Sequence, residues 1–270
     1  MRLKTKKRGA SNIIATLVIF VVMLSAITLA FSQVIPSVEK FQASSDFVAA
    51  ENTFMNIDGS IKKLINSPEN ASEIIRYEIG KGILDMSFDR SINLTIESEK
   101  VVIFNYSILL GQLTYRLDGH YKGNGGSIYN VGSPDLLVYS PNRTADVTNI
   151  IYQTFDDYKM LKLYYDIFVS IENIKTDEVE VNFIIINLNT TQVDSYQKEY
   201  FPLINSEAKL ELSKRAQIIK SYSLGTFSTD LSINAESSNY LQKLDYDYAP
   251  STSFSLVVNI ITVDINFSVI

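Results

Sequence analysis

IIATLVIFVVMLSAITLAF, residues 13–31, holds no charged side chain, and its only polar members are Thr16, Ser25 and Thr28. A helix of this length rises roughly 28 Å at about 1.5 Å per residue, close to the ~30 Å hydrocarbon core of a bilayer. The three hydroxyls are compatible with that medium, because Ser and Thr on a helix bond back to the i−4 carbonyl. Ahead of the run stand Arg2, Lys4, Lys6, Lys7 and Arg8 with no acid, so the first nine residues carry +5. Basic flanks stay cytoplasmic, which places everything after Ser32 outside. The reading predicts one membrane pass over about 13–35.

The chain has 270 residues, enough to bury a real core, and a net charge of −6. Set aside the basic start and 19 Lys+Arg face 30 Asp+Glu, a net of −11 for the remainder. That balance argues against nucleic-acid binding, which calls for a basic face. There is no cysteine, hence no disulfide frame, thiolate metal site or thiol nucleophile, and a single histidine, His120.

A secretory signal has an apolar core of roughly 7–15 residues and a small-residue cut site beyond it. This run is too long for that pattern. Instead Lys6-Lys7-Arg8-Gly9 leads through Ala10-Ser11-Asn12 straight into the apolar segment. Here the sequence resembles archaeal type IV pilin-like proteins, including archaellins and minor pilin-like subunits. The resemblance implies a class III signal peptide, recognised through Lys7, Arg8, Gly9 and Ala10 and cut after Gly9 by a leader peptidase. It implies that residues 1–9 are removed and that the helix remains as membrane anchor or filament spine. It further implies an assembly ATPase with its platform complex, and other pilin-like subunits, as partners. The chain departs from many pilins at the fifth mature position, where Ile14 stands in place of Glu.

Beyond Pro36, Val38, Phe41, Val48 and Met55 fall on one helical seam with Ser45 and Asn52, opposite Glu39, Lys40, Gln42, Asp46 and Glu51. The helix is expected to continue outside the membrane and to pack by that seam on its own domain. Asn66-Ser67-Pro68 ends it, giving a helical segment 10–67 and an outer domain 68–270. Ser72 to Ile79 reads as a short helix closed by Gly80.

From Ser91 the apolar period is two, first in Ile92, Leu94 and Ile96. Leu161, Leu163, Tyr165, Ile167, Val169 and Ile171 share one face, with Lys162, Tyr164, Asp166, Phe168, Ser170 and Glu172 on the other, mostly wet one. Lys175-Thr176-Asp177 then turns the chain into Val179, Val181, Phe183 and Ile185. At the end, Phe254, Leu256, Val258 and Ile260 give way to Ile261, Val263, Ile265, Phe267 and Val269. Such a phase flip inverts the buried face, as a bulge or a strand switching sheets would do. Residues 208–219 fit either period. The expected fold is α+β, a long N-terminal transmembrane helix followed by a mainly antiparallel β domain built as a two-sheet sandwich.

Chemistry is sparse. Gly119 to Gly126 lacks the Gly-Lys-Ser/Thr ending of a phosphate loop, and no nucleophile elbow or zinc-binding helix motif occurs. His120 would be the sole imidazole of any triad. Asp245 and Asp247 could share a cation from one strand face, but no EF-hand glycine or terminal glutamate follows. Asn70, Asn93, Asn105, Asn142, Asn189 and Asn266 head Asn-x-Ser/Thr sequons, open to glycosylation on an exported domain, with Asn93 and Asn266 on polar strand phases. The expectation is a structural subunit and not an enzyme, without cofactor or metal, whose partners are membrane lipid and other pilin-like subunits and not nucleic acid or a small-molecule substrate. The competing reading is a permanently anchored extracytoplasmic binding or sensing domain that never polymerises.

Overall fold

The computed structural model describes residues 6–77, 81–119, 127–139, 146–175, 177–190, 198–201, 209–227, 231–237, 240–246 and 253–269. One helix, α1 (Lys6–Ile65), precedes the strands. These are β1 (Ser72–Arg76), β2 (Ile83–Ser98), β3 (Val101–Asp118), β4 (Ser127–Val131), β5 (Leu137–Tyr139), β6 (Thr148–Thr154), β7 (Tyr158–Tyr165), β8 (Ile167–Lys175), β9 (Glu178–Thr190), β10 (Lys198–Phe201), β11 (Lys209–Phe227), β12 (Leu231–Ser237), β13 (Tyr240–Tyr246) and β14 (Phe254–Val269). They form one sheet in the order β1-β11-β14-β9-β8-β5 and a second in the order β13-β12-β2-β3-β7-β6-β4, with β10 paired to β2. Only β14–β9 and β5–β8 are parallel among the described pairs. The expected α+β class and mainly antiparallel two-sheet domain are thus observed.

The chain divides into residues 1–47 and 48–270. In the first unit every described side chain from Ile14 to Phe41 is exposed apart from Lys40, whose side chain is not described. In the second, Ala50, Phe54, Ile57, Ile61 and Leu64 are buried at alternating four- and three-residue spacing. This corrects the expected seam, since its members in this unit, Val48 and Met55, are exposed. Two apolar stripes about 100° apart compete on this helix. The stripe through Phe54 is the one buried, and the Asp58 it carries is tolerated because Thr148 and Tyr165 satisfy its carboxylate.

Residues 72–76 form β1, not the expected helix, pairing Ser72 through Arg76 with Ser213 through Lys209 of β11. Adjacent Ile74 and Ile75 favour an extended chain, with Ile75 buried and Ile74 exposed. The uninterrupted pattern Leu161–Ile171 is also divided. Its first half is β7 in the second sheet and its second half β8 in the first, with Asp166 at the corner. Both halves bury odd-numbered residues, so the period carries no trace of the corner. The ambiguous 208–219 region enters β11 from Lys209.

The phase flip in β14 is real and involves no switch of sheet, and the bulge nearest to it lies in the neighbouring β11, between Lys214 and Ala216 opposite Ile265 and Asp264. β14 stays in one sheet and pairs with β9 without a break from Ser255↔Glu178 to Phe267↔Thr190. β9 flips with it, burying Val181, Phe183 and Ile185 and then Ile186 and Leu188. In the other sheet β3 changes from Phe104 and Leu110 to Leu113, Tyr115 and Leu117. β2 keeps even-numbered residues inside by a bulge between Ser87 and Arg90. Near this level Gly111 of β3 meets β9, where a Cβ on Gly111 would stand 1.9 Å from the Leu188 carbonyl oxygen. On one side of that waist lies an inter-sheet cluster that includes Ile92, Leu94, Phe104, Val181, Phe183, Leu256 and Val258. The buried apolar residues outside it include Phe54 and Ile57 of α1 with Leu113, Tyr115, Leu212 and Ile265.

Candidate functional site

The feature that could act on a surrounding medium is the first part of α1. From Ile14 to Phe31 its large apolar side chains are 47–65% exposed, and the helix is long and apolar enough to cross a membrane. Its polar atoms are turned inward chemically. Ser25 Oγ donates to the Val21 carbonyl and Thr28 Oγ1 to that of Leu24, each at 2.8 Å. Further along, Ser32 bonds to the Leu29 carbonyl and Ser37 to that of Gln33. Pro36 sits within the helix and contributes no N–H.

The end of α1 is locked into the β domain by a charged residue on its buried face. Asp58 Oδ1 accepts from Thr148 Oγ1 at 2.8 Å and from Tyr165 OH at 2.9 Å. Its other oxygen pairs with Lys62 at 2.9 Å, and Lys62 also reaches Asp146 at 3.1 Å. Although partial burial opposes the charge on Lys62, hydrogen bonds to Asp58 and Asp146 raise its pKa. Burial first, and then the charge of Asp58, holds the Tyr165 phenol well above its usual range, so it remains a donor. Lys214 of β11, almost fully buried, closes the helix by donating to the carbonyls of Ile65 and Ser67 at 2.8 Å each. Unsatisfied carbonyls and the negative end of the helix dipole favour a cation there.

Beside this clamp stands the corner residue Asp166, 2% exposed. Arg90 donates to Asp166 Oδ1 at 2.9 Å and to the Tyr165 carbonyl at 2.5 Å, and its guanidinium lies 4.1 Å from the Tyr164 ring centroid. Asn149 donates to Asp166 Oδ2 and accepts the Ser133 N–H at 3.1 Å. Gly132 makes that approach possible, for it holds a φ of +93° and a Cβ there would stand 2.2 Å from Asn149 Oδ1. Burial pushes Asp166 up to about 6, against the pull of Arg90 and Asn149. The arrangement joins β2, β6, β7 and β8 at the point where the chain changes sheet. It positions backbone and offers no substrate-accessible acid.

Two concavities flank these groups. A groove of about 930 Å³ beside Lys62 and Asp146 is lined by Phe168, Ile184 and Ile261 with Glu172 and Glu180. A polar cleft of about 200 Å³ on β2, β3 and β7 presents Asp89, Arg116 and Lys162, and Gln112 inside it bonds to Ser87 and Asp89. Among the described residues, no three of His, Cys, Asp and Glu come together to hold a metal.

The residues singled out from sequence are scattered. Lys7, Arg8, Gly9 and Ala10 belong to α1, but their side chains lie outside the described set, as do His120, Asn142 and Asp247 entirely. Asp245 is exposed and ion-paired with Lys243 at 2.7 Å. Asn70 is exposed with a left-handed φ of 64°, and Asn105 is exposed. Asn93 accepts from Ser107 Oγ at 3.0 Å, and Asn189 accepts the Thr190 N–H at 2.8 Å. Asn266 corrects the expectation of an outward polar phase, being 6% exposed with no hydrogen-bond partner for Oδ1 among the described residues. The cause is position, since β14 lies between β11 and β9 and this end of it is covered on both faces. Asp166 corrects the expected wet face, being buried at the corner, and Arg90 and Lys214 carry no signal in the sequence pattern, whereas Asp58 is a charge between Phe54, Ile57 and Ile61. Comparison of the chain with protein-family models, curated proteins and solved structures returned no match.

Proposed function

We propose that this protein is a type IV pilin-like subunit, held in a membrane by α1 and able to join other subunits through that helix. The observation that carries the reading is the contrast along one helix. Its first part exposes a continuous apolar surface from Ile14 to Phe31, while its last part is buried and clamped by Asp58 and Lys214. Burying such a surface, whether in lipid or among other helices, is driven by the hydrophobic effect. The basic Lys7-Arg8 before Gly9-Ala10 supports processing at that point on the cytoplasmic side. The test is mass spectrometry of the native protein, which should begin at Ala10. Replacing Gly9 by Leu should leave the leader attached, and normal maturation of that variant would refute the assignment. The groove beside Lys62, lined by both apolar and acidic side chains, favours the second reading, an anchored binding domain that does not polymerise. An unprocessed native N-terminus would select it.

A further inference from the structure

The half of the sandwich that holds the inter-sheet cluster is closed on one side and open on the other. On the closed side, Gln242 of β13 accepts the N–H groups of Leu136 and Leu137 at 2.6 and 2.8 Å and donates to the Leu137 carbonyl at 2.9 Å. That ties the edge of one sheet to the β5 edge of the other. On the opposite side, among the described residues, Val101–Leu110 of β3 pairs with β2 alone and Gln217–Phe227 of β11 with β14 alone. Side chains show that these two free edges lie together. Phe104 meets Tyr222 edge-to-face at 5.3 Å, and Lys220 stands 5.6 Å from the Tyr106 ring centroid.

Folded proteins blunt free edges with short strands, charges, proline or bulges. The other described edges obey, for β1, β4 and β5 are short and β13 bears Lys243 and Asp245. The β3 edge has no charge from Val101 to Leu110, and the β11 edge has only Lys220 from Gln217 to Phe227. Each has one register shift near its end, at Val102–Phe104 and at Leu224–Thr226, which leaves Phe104–Leu110 and Gln217–Leu224 unbroken. Val101, Val102, Leu109, Ile218 and Ile219 are exposed along them.

We propose that this open side pairs with the same side of a second copy of the chain. A single extended peptide could satisfy one edge and leave the other open. A second copy, turned about an axis normal to the sheets, continues both at once, antiparallel in each, as an isologous interface requires. Side-chain parity is kept when residues of like parity face each other. Centring β11 on Ser221 then sets Lys220 opposite Tyr222 of the partner subunit and Ile218 opposite Leu224 of the partner subunit, with no like charges directly opposed.

The chain lacks cysteine, so a single introduced thiol reports its own neighbours. Ser221→Cys in the full-length protein, oxidised in native membranes, should give a disulfide-linked species of twice the chain mass. Residues facing each other across such a pair have Cα atoms about 4.5–5.5 Å apart, within disulfide reach. Leu241→Cys on β13, exposed but on the closed side, should give none, which separates edge pairing from crowding by the membrane helix. Adding Ile219→Lys to Ser221→Cys should abolish the doubled species while the circular dichroism spectrum stays that of the parent. Equal capture at residues 221 and 241, an adduct of any other mass, no capture at 221, or capture that survives Ile219→Lys would each overturn the proposal.

Discussion

Asp58→Ala should loosen the attachment of α1 to the β domain by an amount that depends on Tyr165. Asp58 is 7% exposed and accepts two buried hydroxyl bonds, from Thr148 and Tyr165. Each buried donor left without an acceptor costs about 1–3 kcal/mol, so the two together cost about 2–6 kcal/mol. The Lys62 pair adds less than about 1 kcal/mol, because Lys62 is largely solvated. Tyr165→Phe removes one charge-assisted bond, worth about 1.5–3 kcal/mol. In the double variant there is no orphaned phenol, so its loss should fall short of the sum by about 1–3 kcal/mol. Urea unfolding of the full-length protein in micelles, followed by circular dichroism or by emission from its 16 tyrosines, measures all four corners. Losses that add within about 0.5 kcal/mol would mean that the two side chains do not share a bond, and the clamp would be misassigned.

Two further outcomes follow from other parts of the domain. Gly111→Ala forces a methyl onto the Leu188 carbonyl oxygen, which is backbone and cannot swing away, so it should cost at least about 1–3 kcal/mol; an unchanged urea midpoint would show that the two strands do not meet there. For Asp166, the folded pKa of about 6 lies above the unfolded 3.8, so the folded state binds more protons between those values. Its contribution is therefore full below about pH 4 and is lost as pH rises through about 6, to a limit of about 3 kcal/mol. Asp166→Asn should remove this slope whatever its effect on absolute stability, and an identical slope in both proteins would refute the burial argument.

How legible this architecture is in sequence depends on whether a residue's fate is set locally. The apolar run 13–31 and the alternation in β2, β9 and β14 are local signals, and they gave the helix and the sandwich. The stripe that α1 buries was misread because two stripes exist, and the choice depends on what the domain presents to Phe54 and Ile57. Asp166 was assigned to a wet face since period two cannot reveal that β7 and β8 belong to different sheets. A corner between two strands of equal parity leaves the pattern intact. The partners that make it tolerable, Arg90 and Asn149, are distant in sequence and meet it only after folding. Conversely, the flip at Ile260–Val263 was visible but its cause was not, because it comes from covering different faces of an unbroken β9–β14 pair.

β14 also fixes the order in which the first sheet can exist. It stands between β11 and β9, and without it the pair β1–β11 and the group β9–β8–β5 share no described hydrogen-bonded ladder. Yet β14 follows every other described strand in the chain, and its parallel partner β9 begins at Glu178 while it begins at Phe254. Contacts of such sequence separation close slowly, since loop entropy is lost before pairing compensates it. Until residues 254–269 are in place, no described ladder joins the two groups, and the sides of β11 and β9 that β14 covers lack the strand partner it provides.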